Sequence, residues 1–302
     1  MSEVQRPAPL DAPVGQVVGG RPPAASPWAI ARRSFLGHRQ AMLGLAVLVV
    51  LGLLSLLSPV VAPLDPSVDL ANRLQPPSAA NWLGTDDAGY DMFRLLLAGS
   101  RVSLLIGFLS VAIAITLGTV IGAVAGYAGG WADAVLMRVV DLFLSVPRLV
   151  LLITAVALLR PSIPLIVVVL GLTGWMGVAR LVRGQVLAVR EREHVLAARA
   201  LGYRPLRILF RHILPNVLTP VIVAATLGIG NAILAEAALS YLGLGVQPPD
   251  SSWGLIIFSG QDRMLDAWWI TAFPGVLIAL TVMAFNLVGD GLRDALDPRH
   301  AQ

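Results

Sequence analysis

Apolar residues run along this chain in long blocks set off by charge, not in the short alternations of strands or surface helices. Ala41 to Val61 carries no charged residue, and neither do Val102 to Ala132, Pro161 to Ala179, Ile213 to Ala235 and Ala267 to Gly289. A helix needs about 20 apolar residues to cross about 30 Å of hydrocarbon. Each block therefore suits one crossing, and Val102 to Ala132 exceeds what one requires. A sixth block, Ala134 to Leu159, is apolar but holds Arg138, Asp141 and Arg148. Its length and its place between two clean blocks predict a crossing as well. The pattern predicts an all-α, polytopic membrane protein with six transmembrane helices.

Composition agrees: 56% of the 302 residues are hydrophobic and 13% charged, against about 25% charged in a soluble domain. No cysteine is present, so thiol and disulfide chemistry is excluded. All 22 basic residues are Arg. A Walker A motif needs Lys, so the chain cannot carry one. The net charge of +4 does not point to nucleic acid, because the arginines follow a membrane topology. With the N-terminus placed in the cytoplasm, 16 Arg fall on inside segments, counting Arg138, and five on outside segments. Positive charge gathers inside, so both termini are expected there. Residues 1–31 lack a signal peptide's apolar core and read as a disordered cytoplasmic tail. Ala31 to Gln40, basic with Phe35 and Leu36, reads as lying at the membrane surface.

The outer segments are patterned. Pro63 to Ser100 is Pro-rich first, then reads from Asn81 to Asp91 as a turn-rich stretch, then as a helix over Met92 to Ala98. Ala237 to Asp266 combines Gly243, Gly245, Pro248, Pro249 and Gly254 with Tyr241 and Trp253. Either an ordered gate or an interfacial aromatic belt fits that composition.

Catalysis finds no support. His38, His194, His212 and His300 make no zinc pattern, and no Ser sits in a Gly-x-Ser-x-Gly elbow. No catalytic residue, metal site or cofactor is expected in the chain. Polar residues within spans are pathway candidates, because an Arg or Asp at the bilayer centre costs about 2.5–3.5 kcal/mol. Asp141 and Arg148, seven residues apart, are expected on one helix face, to pair across helices, to line a water-filled path or to snorkel. Asn231, Glu236 and Asn286 are further candidates, with helix–helix hydrogen bonding as the other reading. Gly118, Gly122 and Gly126 form a small-residue stripe that predicts close helix packing.

The segment 180–212 is the most informative. Eight Arg fall there with Glu191 and Glu193. Arg180 to Ala200 is expected to extend the fourth span as one helix. Gly202 suits the position past a helix end, and Pro205 the first turn of the next. Leu206, Leu209, Phe210 and Ile213 then share one apolar face, and Pro215 ends or kinks that helix. The result is a helix–turn–helix elbow that offers the small residues Ala197, Ala198, Ala200 and Gly202 to another surface.

Ala197-Ala198, Gly202 and Leu214-Pro215 resemble the cytoplasmic coupling loop of ABC importer permeases. Leu196 and His212 replace that pattern's usual Glu and Ile, and the surrounding Val195 to Gly202 and Arg211 to Pro215 resemble the dipeptide/oligopeptide branch. Leu83 to Asp86 with Gly89 and Asp91, Arg101 to Leu104, Gly129 to Asp133 and Leu239 to Gly254 resemble its C-type subunit; Tyr90 stands where Arg is more frequent. The resemblance implies a type I importer permease fold. It divides the chain into residues 32–100 as the first helix with its outer loop, 101–291 as the core domain, 180–215 as the coupling loop within it, and 292–302 as a cytoplasmic tail. It also implies a bacterial inner-membrane permease for peptides or related solutes. Ala197, Ala198, Gly202, His212, Leu214 and Pro215 would dock one of two separate ATP-binding subunits. A homologous second permease and an extracytoplasmic solute-binding protein would complete the assembly. A secondary transporter is the alternative, but no repeat of two halves is apparent; a membrane scaffold would not need a patterned elbow.

Overall fold

The computed structural model describes residues 27–63 and 69–296. The expected tail up to residue 26, the last six residues of the C-terminal tail and residues 64–68 of the first outer segment lie outside the described residues.

A short helix, α1 (Pro27–Gly37), precedes the first long one, α2 (Arg39–Val61). His38 separates them and its Nδ1 accepts from the Ala41 amide. The connection after α2 turns tightly. Thr85 Oγ1 accepts from Gln75 N at 2.8 Å and donates to Asn72 O at 2.5 Å. Asp86 Oδ1 accepts from the amides of Ala88 and Tyr90. Burial pushes the Asp86 carboxyl above its ordinary range, and those amides pull it part of the way back. Asp91 then caps α3 (Met92–Ala128) through the amides of Phe93 and Arg94. The helix expected over Met92 to Ala98 is thus fused to the second span. No Pro separates them, and Gly99, the one weak position, packs against Ser252 and Trp253.

The sixth apolar block is not straight. Its two parts, α4 (Gly130–Leu144) and α5 (Arg148–Ala157), are bent by 81°. Pro147 has no N–H to continue the ladder and disfavours helical geometry at Val146. At 1.5 Å per residue neither piece spans about 30 Å alone. Among the described residues five helices are long and apolar enough to cross, or six if the bent pair is one span. The break also overturns the expectation that Asp141 and Arg148 share a helix face, since it lies between them.

The remaining helices are α6 (Ile163–Arg190), α7 (Glu193–Ala200), α8 (Pro205–Ile208), α9 (Leu214–Tyr241), α10 (Trp253–Gly260) and α11 (Trp269–Leu296). The largest contact joins α3 to α6. Gly118, Gly122 and Gly126 lie on that seam, as the stripe predicts. A Cβ at Gly122 would stand 2.4 Å from Ala179 O, and one at Gly126 2.9 Å from Val186 Cβ. Helices cross this closely only where no side chain intervenes. On the other side α11 packs on α2 and α9.

Candidate coupling elbow and intramembrane cavity

The elbow starts where α6 ends. Arg180 to Ala200 is not one helix: Glu191 leaves helical geometry at φ −93°, ψ 1°, and α7 restarts at Glu193. The helix α7 closes as a Schellman motif. Tyr203 N donates to Ala198 O at 3.1 Å and Gly202 N to Arg199 O at 2.9 Å, with Gly202 at φ 75°. Pro205 occupies the first turn of α8.

The next turn departs from the expected phase. Leu209–Ile213 is a π-helical turn, which adds a residue to the turn and rotates the downstream side chains about the axis. Ile208, Leu209 and Ile213 are buried against Val195 and Ala198, whereas Leu206 is 68% and Phe210 64% exposed. The single apolar face expected of Leu206, Leu209, Phe210 and Ile213 is therefore split. Nor does Pro215 stop the helix. It lies in the first turn of α9 and the helix runs on from Pro205 to Tyr241.

Burial sorts the predicted docking set. Ala197, Ala200 and Gly202 are exposed and Pro215 with them; His212 and Leu214 are half-buried. Ala198 is buried in the elbow's own core, so it holds α7 on the π turn and offers no surface. Sequence reasoning missed the surface that is offered: Leu196, Leu201, Tyr203, Leu206 and Phe210 are all exposed. Leu206, one turn earlier and outside the π turn, is exposed on the same side as Phe210. Arg207 stacks on the Tyr203 ring at 4.6 Å, and Tyr203 lies beside His212 with centroids 6.1 Å apart.

Some of the arginines act as clasps. Arg183 forks onto Asp133, with Nε–Oδ1 at 2.5 Å and Nη2–Oδ2 at 2.6 Å. Arg180 pairs with Asp141, and Arg190 donates to Gly126 O at 3.0 Å. These bonds tie α3 and α4 to the elbow end of α6. Asp141 is thereby a clasp residue.

The other pathway candidates separate. Asn286 is exposed on α11. Arg148 and Asn231, both exposed, line one cavity of about 230 Å³ bounded by α3, α6 and α9, with Ser110, Gly174, Gly177 and Gly228 on its walls. The Arg148 guanidinium reaches α6 and donates to Leu170 O at 3.4 Å.

Glu236 lines no part of that cavity. It is fully buried: Ser240 Oγ donates to it at 2.7 Å and Ser103 Oγ at 3.4 Å, while Ser103 Oγ accepts from Trp253 N. The Trp253 indole donates to Leu96 O at 3.1 Å. Glu236 thus joins α3, α9 and α10. Glu236→Gln is expected to retain the protein's thermal midpoint in detergent nearly unchanged. Glu236→Leu, which strips two buried hydroxyls of their partner, is expected to lower stability by about 1–3 kcal/mol. Equal melting of both variants would refute this joining role.

The fold and site define a polytopic helical membrane protein with a broken span, an elbow at one end and a mid-depth cavity. Residues 118–302 match the family described as binding-protein-dependent transport system inner membrane component, and residues 26–77 match the N-terminal transmembrane domain of oligopeptide transport permease C. The chain belongs to that transport-system family. It is a permease subunit of an ABC importer in the bacterial inner membrane. It is 42% identical to a dipeptide transport system permease protein of Alkalihalophilus pseudofirmus, over 91% of each chain. It is 46% identical to a probable D,D-dipeptide transport system permease protein of Escherichia coli, over 84% of this chain and 86% of that one. An oligopeptide transport system permease protein of Bacillus subtilis is 38% identical over 90% of each. The permease fold of an inward-facing MetNI methionine ABC transporter superposes with a TM-score of 0.58 at 21% identity, covering 68% of this chain and 98% of that one.

Proposed function

We propose that this subunit forms half of the pathway through which peptides or closely related solutes enter the cell, and that its elbow receives the stroke of a separate ATP-hydrolysing subunit. One observation carries the docking half of this reading: an exposed apolar cluster, Leu201, Tyr203, Leu206 and Phe210, around a glycine-capped turn beside the membrane. Apolar side chains clustered at a helical elbow outside the bilayer mark a surface for another protein. The relatives' names support the peptide half.

The assembly this requires is a homologous second permease, two ATP-binding subunits and a soluble binding protein that delivers solute at the outer segments. The chain holds no Walker A lysine, so ATP is bound and hydrolysed by the partners and this subunit needs no cofactor of its own. The elbow faces the cytoplasm together with both termini, as the arginine distribution requires. When the ATP-binding subunits close, the elbow moves with them, and the attached helices turn the pathway from one side to the other.

Proteoliposomes holding the four-subunit complex test this. Uptake of a radiolabelled dipeptide is expected to require internal-side ATP and the binding protein, and to persist when ionophores collapse every ion gradient. Uptake that tracks a gradient without ATP would instead make the chain a secondary transporter.

A further inference from the structure

We propose that Arg148, with Ser110 and Asn231, forms a site inside the membrane that binds the carboxylate of the passing solute. The proposal rests on the peptide-transport reading and specifies which group of the solute this chain holds.

Three observations converge on the cavity between α3, α6 and α9. The first is an uncompensated cation. Arg148 makes one long bond, to Leu170 O at 3.4 Å, and among the described residues no carboxylate lies within 4.0 Å of it. The arginines that face α4 from the elbow end of α6 are paired: Arg180 with Asp141, Arg183 with Asp133. Arg148 is exposed at the open side of this cavity, within an apolar block of the chain, and a cation held in such a block without an anion is costly in lipid and marks a ligand or ion path.

The second is an orphaned hydroxyl. Ser110 is buried, lines the same cavity, and its Oγ has no hydrogen-bond partner. A buried polar atom normally finds one. Asn231 adds an amide to the wall from α9. All three groups can donate, and an anion needs donors only.

The third is shape and depth. Gly174, Gly177 and Gly228 add no side chain to walls otherwise formed largely by apolar residues such as Val111, Ile115 and Val178, and the space is about 230 Å³. Leu170 lies seven residues inside the start of α6 at Ile163, roughly 10 Å along the helix. A lipid headgroup sits nearer the surface, whereas a solute crossing the bilayer must pass this depth. The bend between α4 and α5 explains how the cation arrives there. It starts α5 at Arg148 and turns that residue toward α6, away from the clasp that Asp141 forms.

A planar guanidinium suits a carboxylate, which it can bind through two parallel bonds. The amine end of a peptide would find no acceptor of negative charge among these residues. The site therefore selects one terminus of the solute.

The chain has no native cysteine, which allows a direct test. A Cβ at Gly177 meets nothing within 4 Å, so Gly177→Cys places a lone thiol at the cavity wall. The complex, in detergent and without binding protein, is labelled with a small maleimide in the presence of N-acetylalanine, its uncharged amide, or inorganic phosphate. N-acetylalanine is expected to slow labelling about tenfold more than the amide does, and phosphate to slow it little, the size of one charge-assisted contact. In the same background Arg148→Gln is expected to erase the difference between acid and amide. Arg148→Lys, which keeps the charge, is expected to retain part of it. Equal slowing by acid and amide overturns the proposal, as does selectivity that survives Arg148→Gln. Equal protection by phosphate overturns the carboxylate assignment. Uptake of labelled dipeptide is scored separately. Acid selectivity without peptide uptake would leave the carboxylate site standing and remove the peptide reading; peptide uptake without selectivity would do the reverse.

Discussion

Gly122→Leu is expected to prevent the bundle from assembling. The Cβ alone would stand 2.4 Å from Ala179 O and 2.8 Å from Val182 Cβ. Backbone cannot yield as a flexible side chain can, so α3 and α6 must separate along their whole seam. Overpacking a core typically costs about 1–3 kcal/mol. Here the cost is expected at or above that range, because Gly118 and Gly126 flank the site and share the same fit. Loss of monodisperse complex on size exclusion checks it. Gly184→Leu serves as the control: it lies on α6 with nothing within 4 Å of its Cβ, and it is expected to leave assembly intact. Monodisperse Gly122→Leu protein would show that the seam is loose enough to admit a side chain.

The second large effect is expected at Gly202, for a different reason. Nothing lies within 4 Å of a Cβ there, so the chain itself has room for any side chain. Two penalties remain. A φ of 75° costs a residue other than Gly about 1–2 kcal/mol. A bulky side chain would also hold an approaching surface away from Leu201, Tyr203 and Leu206. Gly202→Asn, which tolerates the conformation, is expected to keep most solute-stimulated ATP hydrolysis. Gly202→Trp is expected to lose it by about tenfold or more, the size of one such penalty, while the membrane bundle remains folded. Equal loss in both variants would assign the effect to backbone strain. Unchanged hydrolysis and subunit association in Gly202→Trp would remove the docking proposal.

Much of this architecture is legible along the chain because the bilayer imposes a length. Gaps between charges mark five crossings directly, and the glycine stripe marks the α3–α6 seam. The Gly202 cap and the Pro205 start are local backbone chemistry, so they too are readable. The hidden features depend on phase or on distant partners. Hydropathy averages over Ser145-Val146-Pro147 and reports one block, although Pro147 is signal enough to expect a break. The π turn at Leu209–Ile213 has no compositional signature, so the apolar face is assigned to the wrong residues. Ala198 looks like part of an open patch until Val195, Ile208 and Ile213 close over it. Glu236 reads as a pathway residue because Ser103, Ser240 and Trp253 come from three separate elements. Asp141 and Arg148 look like natural partners in sequence, but Asp141 pairs with Arg180 and Arg148 turns to α6 with no carboxylate beside it.

The uninterrupted run from Pro205 to Tyr241 has a mechanical meaning. Its 37 residues extend over about 55 Å, with the π turn and Pro220 both inside the run. A rod fixed near its middle multiplies angle into distance. Tilting the elbow end by roughly five degrees would carry the far tip by a few ångströms over that length. That tip bears Glu236 and Ser240, so a small push beneath the membrane arrives where α9 meets α10 as a displacement comparable to a hydrogen bond's length.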